Sequence, residues 1–227
     1  MKKYLLLVMV ALCSCKSISY SDVNPTASQN PVLLPAMGTI VNMYNLESTY
    51  SAGGFTANSN TYGANYDNIN YWDLFGTNTV TNGTNYKDDR VSDVVNIFEK
   101  EVQNNITSPY GAKKGYFALK LGYRGSEDSI LYPLVSIFSL GMLNLVGFPY
   151  NELSESLEVQ VDVLNKNKEL IKRYNENIAN SNYVAMWWGY DEGVVYRKVA
   201  ADNIRQALEK IRISIANDAN ELNKKLK

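Results

Sequence analysis

The sequence predicts an α+β fold: an antiparallel sheet with one medium helix and one long C-terminal helix packed on a face, plus a loop-rich Asn/Tyr insertion. Three observations in the 227 residues predict it. Apolar residues alternate over 115–124 and again over 155–164, the period of half-buried strands. They recur at three- and four-residue spacing over 88–106 and 193–226, the period of amphipathic helices. Residues 50–86 show neither period and are dominated by Asn, Thr, Gly and Tyr.

The chain opens Met1-Lys2-Lys3-Tyr4 and runs into Leu5-Leu6-Leu7-Val8-Met9-Val10-Ala11-Leu12. Positive charge followed by a short apolar run is the pattern of a secretory signal peptide, and the run is too short to span a bilayer. The residues that follow, Leu12-Cys13-Ser14-Cys15, resemble the lipobox of bacterial lipoproteins. That resemblance implies a signal peptide over 1–14, cleavage after Ser14 and a lipidated Cys15. Cys13 would put Leu12 where the motif needs a small residue, so Cys15 is the expected acceptor. A thiolate is the side chain best suited to take a lipid group, and several acyl chains anchor stably where one does not.

Residues 15–36 read as the lipidated Cys and a tether, because Pro25, Pro31 and Pro35 oppose regular structure. Residues 37–227 read as a single α+β domain. A short strand is expected around Thr39–Leu46, then loops and short hairpins through 50–86. Asp88–Ile106 is predicted helical, with Val91, Val94, Val95, Phe98 and Val102 on one stripe and Pro109 and Gly111 closing it. Gly115–Arg124 is a strand with Phe117, Leu119, Leu121 and Tyr123 on one face. Ile130–Tyr150 carries no charge. Pro133, Gly141, Gly147 and Pro149 argue against a membrane helix there, so buried strand and loop segments are expected, with membrane contact the alternative. Glu155–Leu164 points Leu157, Val159, Val161 and Val163 inward and Glu158, Gln160 and Asp162 outward. A turn at Asn165–Lys168 and a return strand over Glu169–Ala179 complete a hairpin. From Gly193 to Leu226 the stripe Val195, Val199, Ile204, Leu208, Ile211, Ile215 and Leu222 predicts one long helix.

Composition narrows the chemistry. Both cysteines lie in the export segment and the chain has no histidine. The common zinc sites, thiol catalysis and triads with a His base are therefore excluded for the mature body. No cofactor and no metal site are expected. A net charge of −1 gives no reason to expect nucleic-acid binding. Tyr62, Tyr66, Tyr71 and Trp72, with Trp187 and Trp188, form a candidate binding surface, since such rings stack on sugars while asparagines bond hydroxyls. Core packing is the commoner role of such aromatics. Carboxylate catalysis would have to use Asp67 with Asp73, or Asp191 with Glu192, and neither pair sits in a diagnostic motif; solvated loop carboxylates are the expectation.

The body also resembles a group of lipoproteins of Bacteroidota with no assigned activity. The resemblance rests on Gly141–Pro149 (GMLNLVGFP), Lys172-Arg173-Tyr174, Val184–Tyr190 (VAMWWGY) and Ala207–Arg212 (ALEKIR). It covers about half the chain, and Trp187-Trp188 departs from a more usual pair of tyrosines. Asp128-Ser129-Ile130 resembles the three-residue O-glycosylation signal of Bacteroidota, with Ser129 as acceptor. These likenesses imply an envelope lipoprotein, in the outer membrane, held by acyl chains on Cys15. The expected role is non-enzymatic binding or assembly with an envelope protein or glycan partner. Alternatives are a surface glycan-binding lipoprotein, an immunity or inhibitor lipoprotein, and, last, a carboxylate-based glycan hydrolase.

Overall fold

The computed structural model describes residues 31, 34–42, 46, 89–125, 130–186 and 190–226. Four strands form one sheet in the order β1-β2-β3-β4: β1 Gly38–Val41, β2 Gly115–Gly125, β3 Asn151–Asn165 and β4 Leu170–Val184. Among the described residues the α-helices that accompany them are α1 Asp89–Glu101, α2 Leu131–Phe138, α3 Met142–Leu145 and α4 Glu192–Lys225. The α+β class holds, with a medium helix and a long C-terminal one over the sheet.

The sheet is mixed rather than wholly antiparallel, because β1 pairs parallel to β2. A parallel neighbour needs a crossover long enough to carry a helix, and α1 lies between the two strands in the chain. The apolar stripe of 88–106 predicts that helix but not the direction of the strand before it. The strand expected over Thr39–Leu46 ends at Val41, and Leu46 is already helical, its N–H donating to the Asn42 carbonyl at 3.1 Å. Leu34, in the stretch read as tether, is buried and bridges in parallel to Thr107.

The apolar period places the core as expected. Phe117, Leu119 and Leu121 of β2 stand opposite Val163, Val161 and Val159 of β3, all on one face. Val91, Val94, Val95 and Phe98 of α1 and Ile204, Leu208, Ile211 and Ile215 of α4 complete a single cluster against them. The 34-residue α4 is about 50 Å long, matching the roughly 50 Å of a 15-residue strand, so one helix covers the whole hairpin. Asp191 caps it by accepting from the Val194 N–H at 3.1 Å. One carboxylate of the Asp191/Glu192 pair is thereby used as a helix cap.

Polar latches fix the helices in place. Asn203, fully buried within the apolar stripe of α4, donates to the Glu155 carbonyl at 3.2 Å and accepts from Asn180 at 2.9 Å. Arg197 of α4 grips Asp93 of α1 with two hydrogen bonds, 2.8 and 3.0 Å. Beyond Glu101 the helix widens into one π turn, Val102–Ile106. There Asn105 donates to Glu101 at 2.6 Å, and Arg212 of α4 lies 3.2 Å from the same carboxylate.

Gly115 opens β2 where the sheet is tightest. A Cβ there would run into the Leu164 carbonyl oxygen, with Leu226 at 3.0 Å and Met37 at 3.1 Å. Backbone cannot give way as a flexible side chain does. Gly115→Ala is expected to cost about 1–3 kcal/mol, the range for overpacking, read as a lower denaturant midpoint at unchanged slope.

A candidate docking surface

Ile130–Tyr150 departs most from expectation. Instead of buried strand and loop it forms α2 and α3, and no residue of α2 is buried. Continuous apolar runs carry no period, so strand and helix cannot be told apart there. Pro133 sits in the first turn of α2, where its missing N–H costs no intrahelical bond. The turn between the helices uses left-handed backbone at Leu140 (φ 50°) and Gly141 (φ 76°). Glycine suits the second of these, and Gly147 (φ 98°) turns the chain out of α3.

The apolar side chains of this pair point outward. Phe138 is 85% exposed, Leu140 91%, Met142 67% and Val146 72%, with Leu131, Ile137 and Leu145 also open. Large exposed apolar patches are typical of surfaces that meet a partner or a membrane, whereas singly scattered exposed apolar residues are ordinary.

What lies between the helices is polar. Asn144, 4% exposed, donates to the Ser136 hydroxyl and to the Phe148 carbonyl, both at 3.0 Å. Ser136 donates to the Tyr132 carbonyl at 2.9 Å, and Ser139 to the Ser136 carbonyl at 3.1 Å. The Gly141 N–H reaches the Ser136 carbonyl at 2.8 Å, and the Phe148 N–H reaches the Leu143 carbonyl at 3.0 Å. Asn144 thus acts as the latch of the pair. Asn144→Ala is expected to free α3 from α2 while the sheet and α4 keep their melting temperature. Hydrogen exchange would show this as faster exchange confined to the amides of 139–148.

The pair is seated at the end of the sheet where β3 begins and β4 ends, since Asn151 faces Val184. The Tyr132 ring meets Tyr183 of β4 edge-on at 5.3 Å and Phe148 at 6.0 Å. Its hydroxyl is pushed up to about 12, first by the hydrogen bond with Tyr183 and then by desolvation and nearby charge. Ser181 donates to Glu152 at 2.7 Å, giving this seam a polar rim.

Cys15, Tyr62, Tyr66, Tyr71, Trp72, Ser129, Trp187 and Trp188 lie outside the described residues, as do Asp67 and Asp73. Ala185 and Tyr190, which flank the tryptophan pair, are joined by an N–H to carbonyl bond of 2.9 Å at the same end of the sheet as the helix pair. The sequence does carry a signal for the patch: a 21-residue stretch, Ile130–Tyr150, with no charge.

A charged cluster sits on the sheet face away from α1 and α4. Asp162, read as outward-facing, is on that face but fully buried. Arg173, its partner across the strands, donates from Nε at 2.9 Å; Gln160 donates at 2.9 Å, and the Lys120 ammonium lies 3.6 Å away. Burial holds the Asp162 carboxyl above its ordinary range, against the lowering pull of Arg173. Among the described residues no group of three or more carboxylates is placed to hold a metal ion, and no helix is long and apolar enough to cross a membrane.

Comparison with known proteins adds little to this geometry. No protein-family model and no curated protein matches the chain. Among solved structures it is similar to a Caulobacter crescentus chain described as a "putative lipoprotein", at 11% identity and a TM-score of 0.34, covering 59% of this chain and 76% of that one. A likeness this slight carries no argument about fold or function.

Proposed function

We propose that this chain is a lipid-anchored protein of the cell envelope, held in the outer membrane by acyl chains on Cys15, that acts by binding or assembly rather than catalysis. The exposed apolar surface of α2 and α3 is the observation that carries the binding role. It is packed from within by Asn144 and Ser136, so its outward side chains are free to meet something else. The anchor rests on the Leu12–Cys15 motif and the charged, apolar leader before it. The non-catalytic reading rests on a chain without histidine and a body without cysteine.

The test is a crosslinking pull-down of the lipidated protein from its own envelope. Beside it run a Phe138→Asp/Leu140→Asp variant and a variant lacking residues 50–86. Crosslinks to envelope protein or to lipid that vanish with the two charges alone support docking through the helix pair. Crosslinks that vanish only with the deletion would move the interface to the Asn/Tyr region and its aromatics. Retention of glycan fractions with no crosslinked envelope protein would favour carbohydrate recognition instead.

A further inference from the structure

The helix pair is built as the reverse of a water-soluble unit. Its polar side chains, Tyr132, Ser136, Ser139 and Asn144, all find hydrogen-bond partners within the protein. Its outward side chains are apolar, and none from Ile130 to Tyr150 is charged. Hydrocarbon imposes this arrangement, because no water is there to satisfy a stray donor or acceptor. A protein partner would call for something different. Protein interfaces carry about one hydrogen bond per 100–200 Å² and favour arginine, and this face offers neither outward donors nor cations.

We propose that α2 and α3 insert their outward apolar side chains into the lipid surface to which Cys15 ties the chain, lying in the interface without crossing it. The inference deepens the lipoprotein reading and rests on it. Helices of eight and four residues are far short of a span, but they suit shallow insertion. Tyr132 and Tyr183, with Glu152 beside them, mark the level at which the surface turns polar, as aromatic residues do at membrane interfaces. Reach permits anchor and insertion at once. Leu34, which bridges to Thr107 near the opposite end of the sheet, is nineteen residues after Cys15. Those residues extend to about 65 Å, more than the roughly 50 Å length of the sheet. With no basic flank in this stretch, insertion is driven by apolar burial and is indifferent to salt and to lipid charge.

The processed chain has no cysteine besides Cys15, so single reporters are easily placed. The full lipidated protein, carrying Leu140→Cys or Tyr110→Cys with an environment-sensitive fluorophore, is reconstituted in phosphatidylcholine vesicles. Tyr110, 84% exposed just before β2, reports the far end. The expected result is several-fold stronger quenching by spin-labelled lipid at position 140 than at 110, with a blue shift, unchanged from low to high salt. Adding Phe138→Asp and Leu143→Asp should return the 140 signal to the level at 110 without altering the melting temperature.

Equal quenching at both positions overturns the proposal. Shielding at 140 that grows with protein concentration and owes nothing to lipid assigns the face to a second copy, and also overturns it. If the probe is open to water in vesicles but shielded in the native envelope, lipid insertion fails while docking to a protein survives. Flotation of a Cys15→Ser chain beside the parent scores the anchor separately. A parent that does not float by way of Cys15 removes the lipoprotein reading itself.

Discussion

Asp162→Ala is expected to destabilise the body by about 3–5 kcal/mol, the range for removing one member of a buried ion pair. The carboxylate is fully buried and faces both Lys120, itself 4% exposed, and Arg173. Arg173 is 30% exposed and can turn to water, whereas Lys120 is held in the buried interior beside the carboxylate. The double variant Lys120→Met/Asp162→Leu should recover most of the loss, because a well-packed apolar pair need not meet the desolvation cost of two ions. Urea unfolding of the two singles and the double gives the coupling directly.

The same carboxyl sets a pH signature. Its pKa in the folded protein is raised, burial outweighing the hydrogen bond and charge of Arg173. The folded state therefore holds this proton to higher pH than the unfolded chain does. Stability from Asp162 is fully present below the unfolded value near 3.8, falls as pH rises through the raised folded value, and then levels off. Glu101 and Glu99 are raised by burial and act in the same direction. Asp218, lowered by its bonds with Lys172 and Tyr174, acts oppositely and loses its contribution as pH falls through its folded value. Asp162→Asn isolates the first effect: the difference between its stability curve and the parent's should change across the acid range and become flat above it.

Phe98→Ala is expected to cost about 3–5 kcal/mol, and Phe138→Ala, measured on the body in water, less than about 0.5 kcal/mol. Phe98 is fully buried in the cluster that α1 forms with the sheet and α4, so truncation leaves a cavity in a closely packed core. Phe138 is 85% exposed and leaves none. The same residue type is structural at one position and free to serve an interaction at the other. Thermal melts of the two variants test this; equal losses would mean that the α2–α3 face is packed in solution.

Much of the architecture is legible in the sequence, because period and burial are tied by geometry. Val91, Val94, Val95 and Phe98 of α1 with Val102 of the π turn, and Val195 through Leu222 of the α4 stripe, share a face by spacing alone and are all buried. The alternation of β3 likewise separates its two faces correctly. Three features escape for identifiable reasons. The parallel pairing of β1 depends on which strand it meets, a long-range fact absent from any local pattern. Asp162 lies on the face its alternation assigns, but an outward face is solvated only if nothing covers it. Uncharged, largely apolar stretches such as Ile130–Tyr150 usually belong to a core, yet Asn144 and Ser136 lie inside the helix pair while Phe138 and Leu140 look out. The aromatic candidates and Cys15 lie outside the described residues, so the geometry supplies a different candidate surface from the one the composition suggests.

Whether α2 and α3 form a docking face is decided by the reactivity of Leu140→Cys in the native membrane. A bulky maleimide is added to intact membranes and to the unlipidated Cys15→Ser body as a monomer in detergent-free buffer, with Tyr110→Cys as the exposed reference. Docking through the helix pair predicts at least a tenfold slower reaction at 140 than at 110 in membranes, and near-equal reaction at the two positions in the free body. Equal and rapid reaction at both positions in the intact envelope would contradict it.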